Sequence, residues 1–455
     1  MKVLLVNPAF FDGQEFRNRF EDYLDWIKGG NLYVAPFEPP LGLASLAASL
    51  KERGHEVELL DMQGSLMDTP ELERRIAVAR PGLVGVTAMT PTFPQALRAA
   101  HVARTTAPGA PVVLGGVHPT LDPEGVLQHE HVDFVIRGEG EHPLADLADA
   151  LESRRTLEDI EGLCRREAGT TVVKPRARPV PNLDVLPPAD YGAFPIERYV
   201  EHFAHLRGLR GISMIISRGC PFQCTFCAVH QTMSRKWRTR SPSRVVNQIV
   251  ALKERWGLEG IWFKDSIFNL SREWTAEFCR LLIERKVEIM WQALTRIDLI
   301  REDELRLMVE AGLRQLDLGI ESGSPRTLHK LRKGIDVDQI REKVKLAKRH
   351  VKVFGFFMIG IPGEKEEDVE QTFALARDLD LDRWTWSIYS PLPGSALFHD
   401  LVKEGKVPPR PNYTQIHFTQ AYEGVSAIPA ERLKELYREI NTYFYTRVAE
   451  PLPRI

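Results

Sequence analysis

The first third of the chain alternates apolar, strand-like runs with helical stretches, and this alternation restricts the fold more than any other feature. The apolar runs cover residues 3–6, 56–60, 83–87, 112–114 and 134–136. The helical stretches between them cover residues 43–53, 71–79 and 94–105. Such alternation is typical of a parallel, doubly wound α/β sheet. We therefore predict a Rossmann-like domain over residues 1–150.

Ligands of such sheets bind beyond the carboxyl ends of the strands, so the loops at those ends hold the candidate binding residues. They are Asn7, Pro8, Asp61, Gln63, Thr87, Gly115, Gly116, His118, Gly138 and Glu139. Paired glycines let the backbone approach a large, flat ligand, because they carry no Cβ atom. Glycines are also common at these positions in any Rossmann-like domain, so the pattern alone does not identify a ligand.

Cys220, Cys224 and Cys227 form a C-x-x-x-C-x-x-C triplet on one loop. Three thiolates on a short loop suit a soft metal centre, such as an iron–sulfur cluster, zinc or copper(I). A closed zinc site or an ordinary cluster has four ligands, and no fourth cysteine is near. Three cysteines on a four-iron cube would leave one iron open to a substrate or cofactor.

The alternatives to a cluster are a disulfide and a zinc site. Five cysteines in a long chain without a secretory leader indicate a reducing compartment, which disfavours disulfides. Zinc would need a fourth ligand, and His230 has a suitable spacing. Of the other cysteines, Cys164 precedes the loop by more than fifty residues. Cys279 lies in a helical pattern that favours a buried thiol.

The cysteine loop, with the aromatic Phe226 before the third cysteine, resembles the cluster-binding signature of the radical S-adenosylmethionine (radical SAM) enzymes. Later segments resemble further motifs of that family in the family's order: residues 264–268, 318–323, 357–364 and 389–395. The resemblance implies a [4Fe–4S] cluster on the three cysteines and SAM on its open iron. It places these residues around SAM: Phe226, Asp265, Glu321, Ser322, Gly360 and Pro362. Arg296, at the end of a predicted barrel strand, is a further candidate SAM contact.

The same resemblance implies a partial (β/α)6 barrel over residues 210–397. Its strands are expected near residues 213–217, 260–264, 290–293, 315–319, 353–359 and 384–390. Barrel active sites lie at the carboxyl ends of the strands, where the family's motifs fall.

The N-terminal domain in turn resembles the cobalamin-binding domain of the B12-dependent radical SAM subclass, which includes anaerobic magnesium-protoporphyrin ester cyclases and many methylases. The resemblance rests on residues 39–43, on the Gly115-Gly116-x-His118 loop and on residues 138–141, and it adds Gly42 to the candidate cobalamin contacts. Methyl-transferring B12 domains commonly carry D-x-H-x-x-G, but here Gln63 occupies the His position after Asp61.

We therefore expect cobalamin without a His ligand from this loop. His118 is a candidate for the corrin face, although a bond to backbone or to a corrin amide is the stronger expectation. A degenerate domain that binds no cobalamin remains an alternative.

Two further regions complete the predicted organisation. Residues 151–209 form a proline-rich connector, and residues 398–455 form a C-terminal helical region with a helix over 430–447. The basic run at 235–240 follows the cysteine loop. It is interpreted either as a solvated face or as a contact for the SAM carboxylate or an anionic substrate, since guanidinium groups pair well with carboxylates.

Composition limits the partners. The formal net charge of −2 gives no general attraction to nucleic acid or anionic membranes. No apolar run approaches the roughly 20 residues of a membrane span, and the N-terminus enters a strand directly, without signal-peptide architecture. We expect a cytoplasmic protein without a nucleic-acid partner.

Together, the resemblances imply an enzyme that cleaves SAM reductively to a 5′-deoxyadenosyl radical and modifies an unactivated carbon of a small molecule, with C-methylation as the first expectation. A flavodoxin or ferredoxin is the expected electron donor. Alternatives are an oxidative cyclase, a radical dehydratase of the aminoglycoside type, and a non-enzymatic regulatory protein that binds cobalamin or a metal.

Overall fold

The computed structural model describes residues 1–9, 38–167, 169–416 and 418–445. Within these ranges the chain forms two α/β units, each built on its own largely parallel sheet. None of the helices in these ranges combines the length and the hydropathy that a membrane span requires.

The N-terminal sheet has seven strands in the described part of the chain, in the order β2-β1-β3-β4-β5-β6-β7. The strands are β1 (Lys2–Asn7), β2 (Glu56–Asp61), β3 (Leu83–Thr87), β4 (Val112–Gly115), β5 (Phe134–Ile136), β6 (Leu163–Glu167) and β7 (Thr170–Val172). β1 to β5 are parallel, whereas β6 and β7 add antiparallel strands at one edge. The doubly wound sheet predicted from the alternation is thus confirmed, and two strands within the predicted connector extend it.

Helices cover both faces of this sheet. They are α1 (Leu41–Glu52), α2 (Thr69–Ala79), α3 (Phe93–Thr106), α4 (Val117–Leu121), α5 (Pro123–Leu127) and α6 (Glu141–Ser153). Leu4 and Val6 pack into the core on one face of β1, and Val3 and Leu5 pack into the core on the other. Burial on both faces explains why the strands are continuous apolar runs rather than alternating ones.

The connector is ordered around short turns and one helix, α7 (Ile196–Arg207). The proline-rich stretch within it forms two 3₁₀ turns, Leu183–Val185 and Tyr191–Ala193. Asn182 and Asp190 cap these turns by accepting hydrogen bonds from backbone N–H groups, as Asx residues do where a regular helix cannot continue.

The second sheet is a six-stranded parallel half-barrel within the described residues, in the order β15-β14-β13-β12-β11-β8. Its strands are β8 (Gly211–Met214), β11 (Gly260–Phe263), β12 (Met290–Thr295), β13 (Leu313–Glu321), β14 (Lys352–Ile359) and β15 (Arg383–Ile388). The predicted partial barrel is confirmed. A short antiparallel pair, β9 (Ser217–Arg218) and β10 (Arg238–Thr239), follows the first barrel strand.

The barrel helices are α8 (Val229–Thr232), α9 (Pro242–Trp256), α10 (Arg272–Glu284), α11 (Glu302–Glu310), α12 (Pro325–Lys330), α13 (Val337–Lys348), α14 (Glu366–Asp378) and α15 (Ala396–Lys403). A C-terminal helix, α16 (Ala430–Tyr445), packs Leu433 and Phe444 into the barrel core. The final residues of the helix predicted over 430–447 lie outside the described ranges.

Candidate functional site

The two sheets meet at a cavity of about 250 Å³ that both units line. Thr87 and Gly115, at the carboxyl ends of β3 and β4, form part of its wall from the N-terminal side. Ile216 and Arg218, which lead from β8 into the cysteine loop, form part of it from the barrel side. Ligands of open α/β sheets bind at these strand ends, and here the barrel closes over them.

The N-terminal wall of the cavity is apolar and rich in glycine. Leu5, Val113 and Ile136 supply the apolar surface. A Cβ atom built on Gly115 would meet nothing within 4 Å, so this glycine borders open space that a side chain would fill. Such a cradle fits the flat, apolar base at the end of the nucleotide tail of a corrinoid. The predicted cobalamin residues that line it are Gly42, Thr87, Gly115, Gly116, Gly138 and Glu139.

Gly116 has a separate reason to be glycine. Its φ is +102°, and a Cβ there would lie 2.9 Å from the carbonyl oxygen of Ala88. The β4–α4 turn therefore requires a residue without a side chain.

Four other predicted cobalamin residues, Asn7, Pro8, Asp61 and Gln63, do not line the cavity. Asn7 donates a hydrogen bond of 2.8 Å from Nδ2 to Oδ1 of Asp61. Asp61 is 1% exposed, and burial raises the pKa of its carboxyl to about 6. The acid of the altered D-x-H-x-x-G segment is thus held inside its own domain.

The His118 side chain also lies outside the cavity lining. It is fully buried, 4.0 Å from the Phe93 ring and 4.4 Å from the Tyr413 ring between centroids. Its Nδ1 lies 3.3 Å from Oγ1 of Thr90, and Nε2 has no hydrogen-bond partner among the described residues. Burial lowers the pKa of the imidazole to about 4, so the ring is neutral. This environment is that of a packing residue.

Glu139 and Glu141 join the two units through ion pairs. Arg218 donates from Nη1 to Oε2 of Glu139 at 3.1 Å and pairs with Glu141 through Nη2. Arg238 pairs with Glu139 through both of its terminal nitrogens. The positive charge of Arg218 holds the pKa of the buried Glu141 down to about 2, against the effect of burial. The Glu139 carboxylate, which is predicted to face cobalamin, therefore forms ion pairs with arginines of the barrel unit.

The basic run divides between two environments. Arg235 and Lys236 are exposed, as a solvated face requires. Arg238 and Arg240 are buried. Arg240 donates to the carbonyl oxygens of Leu186 and Pro187, and so both buried arginines attach the barrel to neighbouring segments. The solvated-face interpretation does not hold for these two residues, whereas contact with an anion stays a prediction, and Arg240 also lines the cavity.

The segment that leads into the cysteine loop is fixed by Asp265, two residues after the end of β11. Its Oδ1 accepts hydrogen bonds from the N–H groups of Ile216 and Ser217 and from the Ser217 hydroxyl. The other oxygen, Oδ2, is buried without a protein partner among the described residues. Burial raises the pKa of this carboxyl to about 6. The unsatisfied oxygen fits a site that accepts a hydrogen bond from a bound cofactor such as the amine of SAM.

The loop itself turns at Gly219, which has φ +88°. A Cβ there would lie 2.3 Å from the carbonyl oxygen of Lys236, so the loop and the basic run pack backbone to backbone. Cys220 donates its N–H to the Ser234 carbonyl oxygen at 3.2 Å. The basic run therefore supports the start of the cysteine loop.

The three thiols of the loop lie near one another and near two cations. Burial and the charges of Cys224 and Cys220 raise the pKa of Cys227 to about 11. Burial raises the pKa of the Cys220 thiol, whereas the positive charges of Arg296 and Lys333 act to lower it.

Among the described residues, no three Cys, His, Asp or Glu side chains converge on a position for a single metal ion. A four-iron cube needs no such single position, because each cysteine of the loop would bind a different iron. Cys164 in β6 and Cys279 in α10 are buried elsewhere, in separate parts of the core.

Arg296 lies against the cysteine loop. Its Nη1 is 3.6 Å from Sγ of Cys224, and its guanidinium stacks 3.7 Å from the centre of the Phe222 ring. Asp298 and the carbonyl oxygen of Lys333 accept its other N–H groups. The side chain predicted to contact SAM thus contacts a candidate cluster ligand.

The other predicted SAM residues cluster at the same end of the barrel, in differing roles. Glu321 ends β13 with φ +69° and accepts a 3.0 Å hydrogen bond from Nζ of Lys333. Ser322 is turned away and hydrogen-bonds Thr372 on α14 at 2.9 Å. Phe226 packs against a small core that includes Met358.

Gly360 and Pro362 lie on the loop after β14, which a buried acid supports. Gly360 has φ +78°, and Oε2 of Glu364 accepts its N–H at 2.6 Å and that of Ile361 at 3.2 Å. Burial raises the pKa of Glu364 to about 8. Pro362 is buried in the same turn.

Sequence reasoning missed several side chains that organise the site. Arg218, Glu141 and Lys333 were not singled out, although Arg218 is two residues from Cys220 and Glu141 belongs to the quoted 138–141 segment. Charged residues inside otherwise apolar or glycine-rich motifs were the available signal. Their partners lie on distant segments of the chain.

Comparison with known proteins agrees with this architecture. The model of the B12 binding domain matches residues 27–148, and the model of the radical SAM superfamily matches residues 214–376. An uncharacterized methyltransferase of Pyrococcus horikoshii is 31% identical over 90% of this chain and 88% of its own length. The anaerobic magnesium-protoporphyrin IX monomethyl ester cyclase of Rubrivivax gelatinosus is 30% identical over 88% of this chain and 70% of its own length.

Among solved structures, the fold is similar to that of the radical SAM methyltransferase TsrM from Kitasatospora setae, solved with cobalamin and a [4Fe–4S] cluster bound. The TM-score is 0.71 at 21% identity, over 89% of this chain and 78% of that chain. The arrangement of the two sheets is thus shared. On the evidence of the two domain models and the P. horikoshii relative, the chain belongs to the radical SAM enzymes that carry a B12-binding domain, and its cofactors are cobalamin, a [4Fe–4S] cluster and SAM.

Proposed function

We propose that this enzyme methylates an unactivated carbon atom of a small molecule. The observation that carries the proposal is the cavity shared by the two units, in which Gly115 and Arg218 line the same space. Arg218 is two residues from Cys220, so the corrinoid cradle and the cluster loop have a common wall. An enzyme that unites a methyl carrier with a radical source needs such proximity.

We assign the residues on the barrel side as follows. Cys220, Cys224 and Cys227 hold the cluster. Arg296, within 3.6 Å of the Cys224 sulfur, places a positive charge beside it and so favours the more negative, reduced state. The free oxygen of Asp265 accepts a hydrogen bond from the amine of SAM.

When bound, the reduced cluster supplies the electron that cleaves SAM, and cobalamin supplies the carrier of the methyl group. The chain's own contribution is to hold the sites together and to exclude water. The buried walls of the cavity, among them Ile216 and Val113, protect reactive species from solvent. A flavodoxin or ferredoxin is the proposed electron donor, because the reaction needs a low-potential one-electron reductant.

Product stoichiometry tests the proposal. A methylase consumes SAM twice, once as methyl donor and once as radical source. With its substrate, the reconstituted enzyme should form S-adenosylhomocysteine and 5′-deoxyadenosine in near-equal amounts, and the product should gain one methyl group. Both nucleosides and the product mass are measured by liquid chromatography–mass spectrometry.

An oxidative cyclase is the second candidate, favoured by the similarity to the R. gelatinosus cyclase. A cyclase or a dehydratase needs the radical cleavage alone. Turnover that yields 5′-deoxyadenosine without S-adenosylhomocysteine would overturn the methylase proposal in favour of that branch.

A further inference from the structure

A second cavity, of about 540 Å³, lies between the N-terminal domain and the C-terminal region. One side is formed by the α4–α5 corner around Asp122, and another by α15 and the segment that carries Arg410. It is separate from the corrinoid cavity, because Thr120 is the one residue common to the two linings.

Among the described residues that line this cavity, the acidic one, Asp122, is already paired with Arg410. Asp122 accepts hydrogen bonds from Nε and Nη2 of Arg410 at 2.9 and 3.0 Å, from the hydroxyl of Tyr413 at 3.2 Å and from the N–H of Gly125 at 3.0 Å. Glu124 adds a second contact to Arg410 at 3.4 Å. This corner is therefore a closed ion-pair group.

Two further arginines on the wall have no such compensation. Arg137 donates to two neutral acceptors, the carbonyl oxygens of Thr120 at 3.2 Å and Lys174 at 2.8 Å. These bonds fix its guanidinium in place without cancelling its charge. Arg176 is exposed and has no acidic partner among the described residues, and partial desolvation together with the charge of Arg137 lowers its pKa. Two like charges on the wall of one cavity repel each other, and an anion bound between them would offset that repulsion.

The cavity also reaches the loops that flank the candidate cluster. Gln231 is four residues beyond Cys227, and Gly394 follows the last barrel strand; both line the cavity. A Cβ on Gly394 would lie 3.5 Å from Cβ of Gln231, so the loop after the last barrel strand contacts the short helix α8 there. A molecule anchored by the arginines therefore lies beside the loops that close the barrel mouth.

We propose that this cavity binds a phosphate-type oxyanion of the substrate through Arg137 and Arg176. Planar guanidinium groups bind phosphate oxygens in pairs, and the cavity has room for the group and part of the molecule attached to it. The proposal deepens the proposed function, on which it rests, by naming a substrate class: small molecules with a phosphate, phosphonate or similar oxyanion.

Inorganic pyrophosphate is the probe. It is titrated by calorimetry, at fixed ionic strength, into the reconstituted protein that carries its cluster and cobalamin, without SAM or reductant. We expect one site per chain, and Arg176→Gln should weaken binding at least about tenfold, as expected for loss of a charge-assisted hydrogen bond. Arg137→Lys, which keeps the charge but loses the paired geometry, should weaken it less.

Arg178→Gln is the matched control, because Arg178 lies two residues further along, does not line the cavity and pairs with Glu161 through Nε at 2.7 Å. Pyrophosphate binding by this variant should equal that of the wild type. Cobalamin absorbance and circular dichroism verify that each variant is folded and loaded.

Absence of pyrophosphate binding at millimolar concentration, or equal weakening by Arg178→Gln, would overturn the proposal. Competition between pyrophosphate and cobalamin would also overturn it, since the arginines would then serve the phosphodiester of the corrinoid. Because binding is measured without turnover, failure here is distinct from failure of the methylase proposal, which appears in the nucleoside stoichiometry alone.

Discussion

The N-terminal domain and the half-barrel present their candidate sites in opposite ways. On the N-terminal side, glycines and apolar side chains line the cavity, while Asp61 and His118 are buried inside the domain. On the barrel side, Arg296 lies 3.6 Å from the Cys224 sulfur, and Asp265 holds the segment before the cysteine loop. In the proposed assignment, one unit offers shape and backbone to its cofactor, and the other offers thiols and charge.

The difference follows from what each cofactor requires. A corrinoid brings its own metal and its own ring, so the protein has to supply room and a close backbone. A cluster is bound by protein thiolates, and its potential depends on charge and hydrogen bonds around the sulfurs. The interdomain pairs of Arg218 with Glu139 and Glu141 join the two kinds of site.

The largest expected effect tests the side-chain character of the barrel site. Replacing Cys220, Cys224 and Cys227 together by Ala should abolish the roughly four irons per chain of the anaerobically reconstituted protein. Iron content is measured by a colorimetric assay and by the visible absorbance of the cluster. Cys164→Ala and Cys279→Ala are the controls and should retain full iron content. Iron lost with either control would contradict a three-cysteine site.

The next effect tests the backbone character of the N-terminal site. Gly115→Leu should strongly reduce cobalamin binding, because the new side chain occupies the cavity, while the fold tolerates a Cβ at this position. Gly109→Leu is a matched control, since it also has open space around a built Cβ and does not line the cavity. Cobalamin retention is measured by absorbance after gel filtration. Equal retention in both variants would show that the corrinoid lies elsewhere.

Breaking the ion pairs at the junction between the two sites should lower the free energy of unfolding. Arg218→Met leaves Glu141 buried without its cation, and loss of one partner of a buried pair costs about 3–5 kcal/mol. The free energy of unfolding is measured by urea titration, and Glu141→Gln in the same background should recover part of the loss. Arg178→Gln, which breaks an exposed pair with Glu161, should change stability by less than about 1 kcal/mol.

The pair of Arg218 with Glu141 also makes the free energy of unfolding depend on pH. The pKa of Glu141 is lowered from its ordinary value of 4.5 to about 2. The resulting stabilisation is therefore fully present above pH 4.5 and is lost as the pH falls toward 2. The difference in unfolding free energy between the wild type and Arg218→Met should narrow over that range, and a constant difference would contradict the assignment.

The smallest expected effect concerns His118. His118→Phe should leave cobalamin binding unchanged and alter stability only slightly, since the ring is buried, neutral and packed on Phe93 and Tyr413. Electron paramagnetic resonance of the Co(II) form should lack nitrogen superhyperfine splitting in both proteins. A nitrogen triplet that disappears in the variant would show that His118 is the ligand, and would break the contrast between the two sites.

Much of the fold was predictable because it depends on local patterns. Buried parallel strands are continuous apolar runs, and both sheets follow the predicted strands closely, β1 and β14 among them. Individual site residues were harder. Glu139 lines the cavity, but its carboxylate pairs with Arg238, about a hundred residues away. Sequence shows that a charge is present in a motif, and it does not show which distant charge meets it.

The sequence by itself determined two α/β units, a three-cysteine loop and a glycine-rich strand edge, since each follows from a short pattern with a local physical cause. Only the tertiary structure decided that the glycine edge and the cysteine loop share one cavity, that Arg296 contacts Cys224, and that His118 is turned away from the cavity. Side-chain direction at the end of a strand depends on how two sheets close on each other. That closure is set by contacts between residues far apart in the chain, such as Arg218 with Glu141.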